Sequence, residues 1–357
     1  MRPVYLSSIF LAAFIIVLTY FLHHTSIQVQ PSFKSLQHQN ITIEGFSLNR
    51  TIDREIRGAA FMLVSKNWRS NRGRKCFFNR SVTALEKYWL PSNSYPLVLG
   101  RQDGVWEQWE MSEIINMVPK LHLRFENCAS AFMIEEPLLL EDNHKLSDVN
   151  YKRMIRFKLY SFLELPFIHD LDYLFFLDDD ACVAEMIEFD VFERMKKRHV
   201  AYAFKQLFHD PAFVVQGLWD FVEAYMNRRG IEYANKPLYA EIKQQQESTV
   251  STTQEAKDFW AFSANFDWID LNAYRDRKIL NFFDTLESSQ MIFHRRWGDS
   301  PLRFALSFMF WNRDQAMKIC TPYQHSTWLL SARNCDEPFN HDAILESLKN
   351  CTAGYCN

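Results

Sequence analysis

The chain has 357 residues, and its composition excludes several classes of protein. Hydrophobic residues make up 48% and charged residues 23%, which are values typical of a folded globule and not of a disordered or fibrous chain. Forty basic residues against 43 acidic ones leave a net charge of -3, so no nucleic-acid partner is predicted. With 31 Phe and only 9 Gly, we predict a densely packed interior that is rich in aromatic rings.

The N-terminal segment predicts a membrane anchor. Val4 to Leu22 contains 19 residues without a charge, which is long enough for a helix to cross a hydrocarbon layer of ~30 Å. Arg2 precedes this run and no Lys or Arg follows it until Lys34, so residues 1–3 are predicted to be a cytosolic tail. The alternative is a cleaved signal peptide, but no cleavage site of small residues follows the run.

The anchor is followed by a polar segment. Residues 23–54 lack a sustained hydrophobic period, so we expect a stem that leads to a lumenal catalytic body formed by residues 55–357. Four N-glycosylation tripeptides support this topology, and they begin at Asn40, Asn49, Asn79 and Asn350. The predicted arrangement is a single-pass type II membrane protein.

The cysteines are few and widely spaced. They are Cys76, Cys128, Cys182, Cys320, Cys335, Cys351 and Cys356. In an oxidising lumen they allow up to three disulfides with one thiol left over, and Cys182, which lies in an apolar stretch, is predicted to be the free one. A zinc site formed by the last three cysteines is the alternative, although no close pair of Cys-x-x-Cys type occurs.

The body alternates apolar runs of strand length with runs of helical spacing. In chain order, the predicted elements are a strand at Ala59–Ser65, a helix at Arg74–Trp89, a strand at Pro96–Leu99, a helix at Glu107–Met117, a helix at Met154–Leu163 and a strand at Leu171–Leu177. This alternation predicts an α/β fold with an open, mostly parallel sheet and helices on both faces, whose ligands bind outside the carboxyl ends of the strands. The polar segment Glu241–Lys257 is predicted to be an exposed loop or a frayed helix.

Three consecutive aspartates follow the last of these strands. Asp178, Asp179 and Asp180 would stand at the carboxyl edge of the sheet, where a hard divalent cation and a diphosphate can both reach them. Such a cation would neutralise the charge that builds up on a leaving diphosphate. The alternative interpretation is a solvated acidic turn.

A second candidate carboxylate lies in an aromatic segment. Asp267 falls within Phe259 to Trp268, where an unpaired carboxylate would be desolvated, and it could stabilise or attack a sugar cation. Equally, it could cap a helix that begins near Ile269.

Two further residues downstream could carry chemistry. Trp297 and Gly298 are predicted to form a tight turn that presents Asp299, or else a purely structural turn. His325 is a possible ligand of a manganese-like ion, although a single loop histidine is more often a bystander.

Taken in order, several motifs resemble those of the fungal Golgi α-1,2-mannosyltransferases. Tyr151–Phe157 is similar to that family's Tyr-x-x-Met-Cys-Arg-Phe, and Tyr173–Asp180 to its strand ending in Glu-Pro-Asp. Phe259–Asp267 resembles Phe-Trp-Ser-Asn-Phe-Glu, and Arg296–Pro301 is close to Arg-Trp-Gly-Asp-Ala-Pro. The resemblance implies a GT-A-like fold and a retaining, GDP-mannose-dependent enzyme of the Golgi membrane that extends mannose chains on glycan acceptors.

The resemblance also implies roles for individual residues. It makes Asp178 and His325 the protein ligands of Mn²⁺, Asp267 the nucleophile or cation stabiliser, and Asp299 the acceptor-side carboxylate or general base.

Four more positions are implied to lie beside the donor nucleotide: Lys66, Tyr151, Arg156 and Asp180. A basic side chain such as Lys66 beside the nucleotide would offset the charge of the diphosphate.

The chain also departs from the family pattern. Asp178 and Asp267 each stand where the family has Glu, and Arg303 stands where it usually has His. Two rival interpretations remain open at this stage: another metal-dependent hexosyltransferase that uses a different nucleotide sugar, and a membrane-tethered glycan-binding protein of the same fold without turnover.

Overall fold

The computed structural model describes residues 56–65, 68–69, 72–134, 149–247, 258–321 and 323–325, all of which belong to the compact unit Arg54–Asn357. The predicted anchor and stem lie outside these residues, as do Lys66 and the cysteines at 335, 351 and 356. Within the described part of the chain, no helix is both long and apolar enough to cross a membrane.

The described strands are β1 Gly58–Val64, β2 Leu97–Arg101, β3 Leu123–Asn127, β4 Tyr173–Asp178, β5 Ala181–Val183, β6 Tyr202–Phe204, β7 Leu207–Asp210, β8 Phe259–Phe262, β9 Phe266–Asp270, β10 Ala316–Lys318 and β11 Tyr323–His325.

The described α-helices are α1 Arg72–Ala84, α2 Gln108–Met117, α3 Ala129–Phe132, α4 Val149–Leu159, α5 Val191–Arg198, α6 Leu218–Arg229, α7 Lys236–Glu247, α8 Leu271–Tyr274, α9 Arg277–Ser289, α10 Met291–His294 and α11 Asp299–Met309. A π-helical turn at Leu85–Trp89 extends α1, and short 3₁₀ turns lie at Ser161–Glu164, Pro166–Asp170 and Arg313–Gln315.

Seven strands form the central sheet in the order β10-β6-β9-β4-β1-β2-β3. Of these, only β9 runs antiparallel to its neighbours, β4 and β6, so the sheet is mostly parallel as predicted. Because β9 is reversed, its first residues lie at the edge where β4 and β6 end. Two small antiparallel sheets, β5 with β11 and β7 with β8, complete the described strands.

Both faces of the sheet are buried, which explains the near-continuous apolar sequence of the central strands. Phe61 of β1 faces one core cluster, and its neighbour Met62 faces the other. Aromatic rings fill much of both clusters, for example Phe175 stacked on Trp268 with ring centroids 4.6 Å apart. The aromatic-rich interior that the composition predicts is confirmed.

Two predicted elements differ in their bounds from those observed. The helix predicted at Met154–Leu163 starts earlier, at Val149, and ends at Leu159, because the chain continues in 3₁₀ turns before Pro166. Residues 241–247, predicted to be a loop or a frayed helix, form the end of α7. Residues 248–257 are not among the described residues.

Among the four cysteines that the structure describes, Cys128 and Cys182 are buried and form no disulfide. The prediction of a free Cys182 is confirmed, but a second free thiol rules out three disulfides, since at most two pairs can form among the other five cysteines. Cys76 and Cys320 are disulfide-bonded. The proposed zinc cluster lies outside the described residues.

Candidate active site

The turn between β4 and β5 brings two carboxylates next to an imidazole. Asp178 is the last residue of β4, and His325 on β11 pairs across the strands with Ala181, the residue that follows Asp180. Nε2 of His325 therefore lies 3.1 Å from Oδ1 of Asp180 and 3.9 Å from Oδ2 of Asp178. Ligand atoms of these three residues lie within 4.8 Å of one another. His325, predicted in a loop, is instead held by a strand.

This set of donors fits a divalent cation. Metal–ligand bonds of about 2.0–2.6 Å allow ligand atoms up to roughly 5 Å apart, which agrees with the spacing observed. Two carboxylates with one imidazole suit an ion such as Mn²⁺, which accepts both oxygen and nitrogen ligands. Asp180, which the resemblance placed beside the nucleotide, lies within the possible ligand set.

The charges of the cluster affect its own ionisation. Burial raises the pKa of Asp179 to about 7, and the neighbouring Asp180 adds to this rise. Oδ2 of Asp179 accepts a hydrogen bond of 3.4 Å from the backbone N–H of Ser65, which ties the turn to the end of β1. Burial lowers the pKa of His325, but its hydrogen bond to Asp180 and the nearby acidic charges outweigh that effect and raise it.

A buried lysine connects this cluster to Asp299. Nζ of Lys158, on α4, donates a hydrogen bond of 2.6 Å to Oδ1 of Asp178 and lies 3.8 Å from Oδ2 of Asp299. Burial lowers the pKa of Lys158, but the two carboxylates outweigh this and raise it above its ordinary value, so the ammonium stays charged. Tyr151, seven residues earlier, lies on the same face of the helix.

The tight turn predicted at Trp297 and Gly298 is not formed, because Gly298 has an extended backbone and precedes α11, whose first residue is Asp299. Its side chain is nearly buried, and its Oδ2 has no hydrogen-bond partner among the described residues. Tyr151 is partly exposed, and burial together with the charge of Asp299 raises its pKa. Arg296 stacks over the Tyr151 ring at 5.5 Å. Asp178, Asp299 and Tyr151 thus share one region of the sheet edge.

Asp267 lies deeper. It is the second residue of β9, opposite Phe176 of β4 and Phe204 at the end of β6, and its side chain is fully buried. Its carboxylate accepts a hydrogen bond from Arg303 of α11 and another, of 2.6 Å, from the hydroxyl of Tyr202. Burial raises its pKa to about 6, and Arg303 opposes the rise. The alternative of a helix cap at Asp267 is wrong.

The nearby helix α8 is instead capped by Asp270, whose carboxylate accepts hydrogen bonds from the backbone of Asn272 and Ala273.

Arg156 is paired with a different carboxylate. Its Nε donates to Glu287 of α9 at 2.9 Å, and its Nη1 donates to the carbonyl of Ala131 at 2.9 Å. The side chain therefore has a structural role, and its predicted contact with the donor stays a prediction. The same is true of Lys66, which lies outside the described residues.

Three charged positions of the candidate site were missed or undervalued in the sequence. Lys158 could have been found from its spacing of seven residues after Tyr151, since both then lie on one helical face. Arg303 is four residues after Asp299 and shares its helical face, but nothing local indicates its partner Asp267. Asp210, at the end of β7, interacts with the charges of Asp299 and Arg296, and burial raises its pKa to about 6. No sequence signal distinguishes it.

Comparison with known proteins identifies the class of protein to which this chain belongs. The model of the family described as glycolipid 2-alpha-mannosyltransferase matches residues 110–353. A curated relative, glycolipid 2-alpha-mannosyltransferase 2 of Candida albicans, is 22% identical over 231 residues, which are 63% of this chain and 48% of the relative. This alignment spans about half of the relative's length.

Two solved structures share the fold. The mannosyltransferase Ktr4p from S. cerevisiae in complex with GDP is 20% identical, with a TM-score of 0.64 over 76% of this chain and 71% of that chain. Core-mannan synthase A (CmsA/Ktr4) from Aspergillus fumigatus, in its Mn/GDP-form, is 17% identical, with a TM-score of 0.63 over 75% of this chain and 74% of that chain.

The class is therefore that of the glycosyltransferases with a mixed α/β fold and a mostly parallel sheet. More particularly, the chain belongs to the glycolipid 2-alpha-mannosyltransferase family, as its motifs predict.

Proposed function

We propose that the protein transfers mannose from GDP-mannose to the 2-hydroxyl of a mannose-containing glycan on a protein, with Mn²⁺ and with retention of configuration. The observation that carries the proposal is the cluster of Asp178, Asp180 and His325 next to Asp299 at the carboxyl edge of the sheet. Family membership and the Mn/GDP-form of the fungal relative support it.

On the donor side, Asp178, Asp180 and His325 would hold the cation. When bound, Mn²⁺ supplies positive charge that offsets the charge of the departing diphosphate. Tyr151 is partly exposed beside Asp178 and Asp299, which places its side chain where the donor sugar would bind. Arg156, paired with Glu287, supports helix α4, which carries both Tyr151 and Lys158.

On the acceptor side, Asp299 would receive the proton of the attacking hydroxyl. The bond between C1 of mannose and the phosphate oxygen breaks, the bond between C1 and the acceptor oxygen forms, and GDP leaves with the bonding electrons. The Oδ2 atom of Asp299, buried and without a hydrogen-bond partner among the described residues, is suited to accept that proton. Lys158 offsets the negative charge of the ionised carboxylate.

For Asp267, the surroundings favour a supporting role. A nucleophile must touch C1 of the sugar, but this carboxylate is fully buried between Arg303 and Tyr202. We therefore propose that Asp267 anchors Arg303, whose other nitrogen donates to the carbonyl of Lys158. Asp267 then acts on the site through the backbone that carries Lys158.

The donor can be tested with the purified full chain. GDP-mannose, UDP-galactose and UDP-glucose would each be offered with a mannoside acceptor, with Mn²⁺ or with EDTA, and both released nucleotide and extended glycan measured. We expect transfer only from GDP-mannose, and only when Mn²⁺ is present. Transfer from a UDP-sugar would favour the rival hexosyltransferase, and binding of GDP-mannose without release of GDP would favour a glycan-binding protein.

We also propose that the protein is anchored in the Golgi membrane by residues 4–22, with its body in the lumen. The uncharged run and the sequons support this. The sequon at Asn79 is a poor acceptor, because it lies within α1 with its Ser81 buried. Endoglycosidase digestion should lower the apparent mass, and a mature protein that begins after Leu22 would contradict the anchor.

A further inference from the structure

Lys158 is a buried cation between two carboxylates that belong to opposite sides of the candidate site. Its side chain is 6% exposed, with Nζ 2.6 Å from Oδ1 of Asp178 and 3.8 Å from Oδ2 of Asp299. The first carboxylate belongs to the possible metal ligands, and the second is the proposed acceptor-side base. A buried ammonium is retained only where nearby anions compensate its charge, and these two anions do so.

The oxygens of Asp178 are divided between two partners. Oδ1 accepts the hydrogen bond from Lys158, while Oδ2 faces Nε2 of His325 at 3.9 Å. The lysine therefore engages one carboxylate oxygen and leaves the other, which faces His325, for the proposed cation. Partners of this kind, which hold a metal ligand in one orientation, strongly influence metal affinity.

The backbone of Lys158 is fixed as well. Its carbonyl accepts a hydrogen bond from Nη2 of Arg303, whose Nη1 donates to Asp267. Arg303 lies one helical turn after Asp299, so the same helix positions both the acceptor-side carboxylate and the group that holds the lysine backbone. If the ammonium moved together with one carboxylate, its distance to the other carboxylate would change.

We propose that Lys158 is a positioning residue that fixes Asp178 and Asp299 relative to each other, and so joins the metal side of the site to its acceptor side. This inference rests on the proposed function for the roles of the two carboxylates. Without the lysine, two acidic side chains would face each other across a buried space and separate, and Asp178 would lose its orientation toward His325.

The chain provides a matched control on the same helix. Lys152 is also buried, 4% exposed, and its Nζ donates at 2.6 Å to the backbone carbonyl of Phe293. Lys152→Met removes a buried ammonium and a hydrogen bond, as Lys158→Met does. A general loss of stability should appear in both variants. A loss of positioning should appear only in Lys158→Met.

The first test measures Mn²⁺ affinity by titration calorimetry of the purified full chain, without substrate. We expect Lys158→Met to weaken Mn²⁺ binding about tenfold or more, and Lys152→Met to leave it unchanged. Lys158→Arg, which keeps charge and donors, should recover part of the affinity. Unchanged or tighter Mn²⁺ binding in a folded Lys158→Met protein would overturn the proposal, because the lysine would then act at most as a competing charge.

The second test uses the metal-free protein, so it stays decisive even if the wild type binds no Mn²⁺ and the proposed function fails. Melting temperatures are compared for Lys158→Met, Asp299→Asn and the double variant. We expect strong non-additivity, with a smaller shift for Asp299→Asn once Lys158 is replaced. Additive shifts would overturn the proposal. If Lys158→Met does not fold, Lys158→Gln, which keeps a donor, takes its place in both tests.

Discussion

Arg303 donates a hydrogen bond to the carboxylate of Asp267 at a point in the core where both side chains are completely excluded from solvent. The pair lies between the central sheet and α11, and the hydroxyl of Tyr202 donates to the same carboxylate. Because each charge of a buried pair compensates the other, removal of either partner leaves an unpaired charge in the interior. Asp267 therefore contributes to stability through this buried pair, which its sequence context does not indicate.

Asp267→Asn should therefore destabilise the protein. The neutral amide leaves the guanidinium of Arg303 buried without its counter-charge, and breaking such a pair costs about 3–5 kcal/mol in the free energy of unfolding. Denaturant unfolding followed by circular dichroism measures this directly. The double variant Asp267→Asn/Arg303→Met should recover part of the loss. A fully stable Asp267→Asn protein with greatly reduced mannosyl transfer would instead support a carboxylate that faces the sugar.

His325→Ala should weaken Mn²⁺ binding. The variant removes one member of the possible ligand set, so the loss should be at least the roughly tenfold seen when an outer-shell partner of a metal ligand is lost. Calorimetry with Mn²⁺ on the full chain provides the measurement. The control is His169→Ala, which changes an exposed histidine of a 3₁₀ turn. Equal affinity in both variants would mean that His325 is not a ligand.

Asp210→Asn should change how stability depends on pH. Burial raises the pKa of Asp210 to about 6, while the unfolded chain releases this proton near pH 4. Between these values the folded state binds more protons than the unfolded state, so stability falls as pH rises. The asparagine variant lacks this loss and should be more stable than the wild type at pH 7, by on the order of 2 kcal/mol, and similar to it near pH 4.

The measurement for Asp210 is the difference in unfolding free energy between variant and wild type from pH 4 to pH 7. Asp314→Asn, at an exposed position, is the control for the loss of one acidic side chain. A constant difference between Asp210→Asn and the wild type across this range would contradict the assignment.

Cys128 and Cys182 should resist thiol reagents in the folded protein. Both are buried, and burial raises the pKa of Cys182 to about 12 and that of Cys128 further, so little thiolate forms near neutral pH. Labelling with iodoacetamide, followed by peptide mass spectrometry, should modify both only after unfolding in guanidinium. Rapid labelling of Cys182 in the native protein would show that this part of the chain opens readily.

The sequence by itself determined the first strands and helices of the body and the position of the acidic turn. The predicted bounds lie within a few residues of the observed ones for five elements, namely β1, α1, β2, α2 and β4. This is because burial on both faces of a sheet, or on one face of a helix, requires a local pattern of apolar residues in the sequence. The acidic turn could be placed at the sheet edge for the same reason, since the apolar run ends directly at Asp178.

Only the tertiary structure decided which distant residues meet. His325 joins Asp180 because β11 pairs with β5, and Asp267 is buried because β9 runs antiparallel between β4 and β6. Lys158 meets Asp299 only when α4 and α11 pack on the same side of the sheet edge. A local period reports whether a side chain is buried, but the partner of a buried charge depends on strand pairing and helix packing between segments far apart in the chain.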